Sequence, residues 1–273
     1  MRRVLFAALL FAATTTFAQT IPPPPYQEVL VPLSVPDLPG ANGSVWRTDL
    51  WAVNGSTSTA SVAALPCIVV SPGPTFCAGA IAIPPNRTVQ LPPLGGTAAA
   101  PGVLLRVSTL HAESTAFTLH VRDVTRNGES WGTEIPVLRM RDLFLRPVHL
   151  TSIPFGSDYR QTLRLYAILP GGGSTARFRV KLYDVNANAD RMLRDEVVTL
   201  ELPPTPPPNA IGTSLAQATV TDLFHIEIGG VDRVRVTIEP VTDPLAFAAP
   251  VPFWAFVSVT NNKTQQVTTV TPR

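Results

Sequence analysis

Three sets of side chains in this chain are spaced so that they could do chemistry. The first centres on Trp51. Alternate residues of an extended strand share a face, so in Trp46-Arg47-Thr48-Asp49-Leu50-Trp51 the side chains of Arg47, Asp49 and Trp51 point the same way. A flat indole flanked by hydrogen-bonding groups suits a sugar, because the ring covers apolar C–H faces while its polar neighbours take hydroxyls. The later run Tyr159-Arg160-Gln161-Thr162-Leu163-Arg164-Leu165-Tyr166 places Arg164 and Tyr166 comparably. The same rings could equally cover cross-strand neighbours or a domain junction.

The second set is Asp184, Asn186, Asn188 and Asp190, oxygen-bearing side chains at every second position, followed by Asp195. The pattern echoes a calcium-binding loop. Ala189 stands where such a loop needs Gly for its sharp turn, and Asp195 where it needs a bidentate Glu. An ordinary polar hairpin loop, in which Asn and Asp tolerate left-handed backbone, accounts for the same residues. Calcium is the one cofactor that the sequence suggests.

The third set is Cys67 and Cys77, which flank the strong turn signal Ser71-Pro72-Gly73-Pro74. A hairpin closing there brings the two thiols together, and in an exported chain a disulfide is expected. A redox or metal role needs C-x-x-C spacing or nearby His, and the segment has neither.

Catalysis finds little support. His111, His120, His149 and His225 are scattered, and no H-E-x-x-H, G-x-S-x-G or paired-Cys metal motif occurs. A Ser–His–Asp site assembled from distant residues is recognised by geometry alone, so a hydrolase is kept as the last alternative. Gly171-Gly172-Gly173-Ser174 lacks the Lys and the following helix of a phosphate cradle and reads as a loop. Asn42, Asn54, Asn86 and Asn262 each begin an N-x-S/T triplet, which marks surface sites only in a host that glycosylates exported proteins.

The elements that must position these residues come in two copies. Trp46-Arg47-Thr48-Asp49-Leu50 is echoed by Tyr159-Arg160-Gln161-Thr162-Leu163, each after a Gly-containing turn, and both copies place an aromatic and a Leu on one face. Val124-Thr125-Arg126-Asn127-Gly128 and Val259-Thr260-Asn261-Asn262-Lys263 give both halves a similar close. Two tandem domains are expected, residues 27–141 and 142–273. Expected strands fall at 28–33, 45–53, 60–70, 76–83, 88–91, 103–108, 116–124 and 131–138, then at 144–150, 159–169, 176–184, 192–202, 218–228, 231–239, 253–260 and 266–270. Single helical turns are allowed at 98–100 and 215–218, and Gly229-Gly230 signals a tight hairpin. Trp131 and Trp254 read as core.

Composition agrees with an all-β chain. Pro occurs 29 times, which helices tolerate badly and sheet proteins accept at edges and in loops. Residues 1–18 read as a cleavable signal peptide, with Arg2 and Arg3 ahead of an apolar run and Thr16-Phe17-Ala18 at the cleavage positions. Residues 19–26, with four prolines, read as an extended linker. The apolar run of the signal is too short to span a bilayer, which takes roughly 20 residues. The whole chain has 21 basic and 19 acidic residues. Loss of Arg2 and Arg3 makes it neutral, which gives no electrostatic reason to expect nucleic acid or an anionic membrane as partner.

The chain resembles the tandem all-β domains of secreted bacterial proteins with an immunoglobulin-like or fibronectin-like sandwich. The resemblance rests on Gly43-Ser44-Val45-Trp46-Arg47-Thr48-Asp49-Leu50 ahead of Asn54-Gly55, its echo at Tyr159, and Gly102-Val103-Leu104-Leu105-Arg106-Val107 after a Pro-rich loop. It implies a sandwich in each half and, since such modules serve as spacers, adhesins and sugar binders, no particular activity. Taken together, the sequence predicts two antiparallel β-sandwich domains in a secreted or periplasmic, non-enzymatic structural or interaction module. Its expected partner is a protein or polysaccharide surface; carbohydrate binding and calcium-dependent adhesion are the alternatives.

Overall fold

The computed structural model describes residues 26–40, 43–64, 67–69, 75–77, 79–98, 100–125, 132–169, 175–185, 191–202, 214–225, 229–241 and 250–272. These form an all-β fold of antiparallel sheets. The first half supplies β1 (Tyr26–Val31), β2 (Leu38–Pro39), β3 (Val45–Asn54), β4 (Ala60–Ala64), β5 (Cys67–Val69), β6 (Thr75–Cys77), β7 (Ile81–Ile83), β8 (Arg87–Leu91), β9 (Val103–Ser108), β10 (Thr115–Asp123), β11 (Thr133–Ile135) and β12 (Leu138–Arg139). After a 3-10 turn at Met140–Asp142 come β13 (Val148–Pro154), β14 (Tyr159–Leu169), β15 (Thr175–Asp184), β16 (Arg191–Glu201), β17 (Ser214–Thr221), the one-turn helix α1 (Asp222–His225), β18 (Arg233–Pro240), β19 (Phe253–Asn261) and β20 (Val267–Val270).

The strands build four main sheets, which we number by layer. Sheet 1 is β11-β10-β3, with β2 and β8 sharing the far edge of β3; sheet 2 is β12-β1-β9-β4-β7. Sheet 3 is β17-β14-β19-β20 and sheet 4 is β13-β18-β15-β16. Sheets 1 and 2 draw only on residues up to 139, and sheets 3 and 4 only on residues from 148. One strand order serves both halves: β1-β9-β4-β7 corresponds to β13-β18-β15-β16, and β8-β3-β10-β11 to β17-β14-β19-β20.

Alternation along the strands decides which face each sheet buries. In β3, Leu50, Ala52 and Asn54 are buried while Trp51 and Val53 are exposed. Sheet 1 therefore packs one face on sheet 2, against Val62, Ile83 and Val107, and leaves the other face free. In β14 both faces are covered. Leu163, Leu165, Ala167 and Leu169 join Phe178, Val180 and Leu182 of β15 in the second core. Tyr166 and Ile168 point the other way, into the cluster that also holds Trp254, Phe256, Leu30 and Leu104. Leu30 and Leu104 are paired across β1 and β9, on the side of sheet 2 opposite Val29 and Leu105. The four sheets thus stack in layers, with sheets 2 and 3 forming a third buried seam between the two sandwiches.

Directional bonds fix that seam. The Tyr166 hydroxyl donates to the Pro32 carbonyl at 2.6 Å. The Gln217 side-chain amide accepts from Gly102 N at 2.8 Å and donates to Gly102 O at 3.2 Å, as a neighbouring strand would. Gly102 is required here, because a Cβ would lie 2.6 Å from Tyr166 Cε1. Phe144 and Phe253 exchange backbone hydrogen bonds where the chain passes from one half to the other.

Two local expectations are corrected. Residues 215–218 are strand, not a helical turn, because they pair along β14. Gly229-Gly230 does not close a hairpin: β17 lies in sheet 3 and β18 in sheet 4, so the chain changes sheets through α1 and that turn. No helix among the described residues is long and apolar enough to cross a membrane.

Candidate ligand-binding face

The free face of sheet 1 carries the first of the three residue sets. Its ladder sets Trp51 between Thr118 on β10 and Gln90 on β8, and Asp49 opposite His120. Trp51 is 39% exposed, in the middle of a sheet rather than at its rim. The charges nearest Trp51 pair among themselves. Asp37 accepts two hydrogen bonds from the Arg47 guanidinium, each at 2.6 Å, which lowers its carboxyl below the usual range. Asp49 accepts from Arg122 Nε at 2.6 Å and from Gln90 Nε2 at 3.1 Å. Both partners of the first pair and Arg122 of the second are exposed, so neither pair contributes much to stability. Their effect is to hold the side chains upright beside the ring.

Two depressions lie along sheet 1, one on each face. One of about 600 Å³ lies towards β8 and the β1–β3 connection, lined by Val35, Asp37, Arg47, Asp49, Gln90 and Pro93 among others. The other, about 530 Å³, lies at the β11 end of the opposite face, where Trp46, Val121, Asp123 and Thr133 meet residues 264–269 of the second half. There Thr133 Oγ1 donates to Val267 O at 2.6 Å, so the two halves wall one groove.

The second-half counterparts behave otherwise. Tyr166 is 1% exposed and Arg164 is packed against the Phe256 ring, its charge centre 5.6 Å from the centroid. The expectation that Tyr166 and Arg164 form a ligand-contacting pair like Trp51 and Arg47 is therefore corrected: both lie in the seam between sheets 2 and 3. Burial raises the Tyr166 phenol well above its ordinary range, and burial also lowers Arg164. Arg164 Nη1 donates to Ser258 Oγ at 2.9 Å. Trp254, expected in the core, is 2% exposed and stacks on Tyr166 in the same seam; Trp131 lies outside the described residues.

Of the calcium set, Asp184 and Asp195 are not brought together. Asp184 ends β15 on its buried face and binds Arg191 at 2.9 Å. Asp195 pairs with Lys181, on the outer face of the same sheet, and meets Arg179 at 3.4 Å. A cation held by one of these carboxylates has the sheet between it and the other. Asn186, Asn188 and Asp190 lie outside the described residues. No group of three His, Cys, Asp or Glu able to hold a metal occurs among the described residues.

The cysteine hairpin has the expected register. Cys67 is the direct ladder partner of Cys77, and directly opposed residues stand about 4.5–5.5 Å apart at Cα, within the span of a disulfide.

One pairing escaped sequence reasoning. Ser58 Oγ lies 2.8 Å from His111 Nε2, across the turn after β3. A nucleophilic serine needs an imidazole oriented by a third group. His111 Nδ1 has no hydrogen-bond partner among the described residues, and neither residue lines the two depressions. Asn54 next to it is fully buried and donates to Ser58 O and Ile83 O. This cluster braces the turn.

No known protein family, curated protein or solved structure matches the chain.

Proposed function

We propose that the chain is exported, loses residues 1–18, and acts without catalysis as an interaction module of the cell envelope or extracellular space. The free face of sheet 1 is its binding surface. The observation that carries this reading is Trp51, 39% exposed at the centre of a sheet face whose counterpart in the second half is sealed. No other described Phe, Tyr or Trp is exposed, and an exposed indole at such a place is a contact residue in waiting. The common strand order supports origin of the two halves by internal duplication. Export is consistent with a Cys67–Cys77 disulfide, for which the ladder register is suitable.

The test is capture of residues 19–273 by cell envelopes and by insoluble polysaccharides, with Trp51→Ala alongside. Capture of the wild type and loss in the variant are expected. Capture of both proteins to the same extent would move the binding surface elsewhere, and capture of neither would leave only a spacer role.

A further inference from the structure

We infer that the free face of sheet 1 takes a neutral, linear polysaccharide laid across the strands; this rests on the binding-module reading and names the ligand class. The two halves supply the comparison. Leu50 pairs with Leu119 as Leu163 pairs with Val257, so Thr118 stands where the second half has Phe256, Ala116 where it has Trp254, and Val53 where it has Tyr166. The sealed face carries three large rings that another sheet covers. The free face has small or hydroxylated residues at those positions and retains one ring. It lacks the apolar area with which a further sheet, from a second copy or another domain, would offset the ordering and desolvation costs of docking.

Charge selects among the remaining ligands. Arg47 is neutralised by Asp37, and Arg122 by Asp49. The strip beside Trp51 therefore offers a polyanion no surplus cation, and exposed Glu134, opposite His120 at the β11 edge of the face, opposes a polyanion further. What it does offer is a flat ring with a threonine hydroxyl on one side and an amide on the other. Asp49 adds an oriented acceptor, held by Arg122 and Gln90. These groups suit a hydroxyl-rich, uncharged ligand.

Shape gives the direction. The depression lined by Arg47, Asp49 and Gln90 lies on this face, from β3 towards β8. Strands are spaced about 4.8 Å apart, so β8-β3-β10-β11 spans about 14 Å. A chain of several sugar units running across the strands enters that depression, with Trp51 beneath one ring.

The experiment is affinity electrophoresis of the mature chain in gels containing hydroxyethylcellulose, xylan or polygalacturonate, at low and high salt. Trp51→Ala and Trp51→Phe are run beside it, with circular dichroism to verify folding. Retardation by a neutral polymer is expected, unchanged by salt, at least about tenfold weaker in Trp51→Ala and partly retained in Trp51→Phe. Salt-sensitive retardation by polygalacturonate alone would overturn the ligand class, and neutral-polymer binding undiminished in Trp51→Ala would overturn the site. Failure of every polysaccharide, with envelopes still capturing the wild type and not Trp51→Ala, would sink this inference and spare the module reading. Failure of both would sink both.

Discussion

The seam between sheets 2 and 3 makes a prediction whose sign is set by one buried hydroxyl. Tyr166 is 1% exposed and donates to Pro32 O at 2.6 Å. Replacing it with Phe keeps the ring and strands the Pro32 carbonyl, a loss of about 1–2 kcal/mol at neutral pH. The pH dependence is more diagnostic. An unfolded tyrosine ionises near pH 10, whereas burial in the seam raises the native group above that. Because the native pKa is raised, its stabilisation is complete below pH ~10 and is lost as pH climbs towards the native value. Between pH 9 and pH 11 the wild type therefore loses about 1.4 kcal/mol relative to Tyr166→Phe. That removes most of its neutral-pH advantage. The assay is urea unfolding of both proteins at each half pH unit from 8 to 11, followed by circular dichroism. Other titrating groups are common to both proteins and cancel in the difference. A constant gap across the range would mean that the hydroxyl ionises freely in the native protein, which refutes a sealed seam.

Three further outcomes follow from the same structure. Gly102→Ala places a Cβ 2.6 Å from Tyr166 Cε1 and 3.0 Å from Gln217 Oε1, and should cost about 1–3 kcal/mol. In thermal melts Gly79→Ala is an unsuitable control because of its positive φ, whereas Gly229→Ala has open space and should melt like the wild type. Expressed through a glycosylating secretory pathway, the chain should carry a glycan at exposed Asn86 and none at Asn54, whose amide is consumed in the core; endoglycosidase mobility shifts with Asn86→Gln check this. Peptide mapping without reductant should find Cys67 joined to Cys77, and reduction should lower the melting temperature by a few degrees, since a hairpin this short closes only a small loop.

Much of the architecture was legible because its signals are local. Each expected strand overlaps an observed one, since Val-, Leu- and Thr-rich runs between Gly, Pro and Asn turns leave few alternatives. Trp51 was found the same way, from period-two alternation in β3. Tyr166 was read as outward, and it does point out of its own sandwich; what the alternation omits is that another sheet lies there. A clue was present. Leu165-Tyr166-Ala167-Ile168-Leu169 and Phe253-Trp254-Ala255-Phe256-Val257 are apolar at consecutive positions and fully buried, as strands covered on both faces must be. The carboxylates of the calcium set were misjudged for a related reason. A spacing of eleven positions does not reveal that the chain reverses and that a register shift near Leu182 places Asp195 on the opposite face from Asp184. The Ser58–His111 contact joins residues 53 positions apart, and no pattern within one strand announces it.

The seam explains why equivalent strands serve different ends in the two halves. An apolar patch alone would let two sheets slide, because burial is non-directional. Two polar devices remove that freedom: Tyr166 on Pro32, and Gln217 clasping both backbone groups of Gly102. Such buried polar contacts add little net stability, since desolvation offsets much of their attraction, and here they set the angle at which the halves meet. That angle brings the turn at 264–269 beside β11, where Thr133 and Thr269 each donate across the boundary to a backbone carbonyl. A groove with walls from both halves keeps its shape only if the halves do not move against each other. The rings that seal the seam in the second half have small or hydroxylated counterparts in the first, which leaves the equivalent face there open.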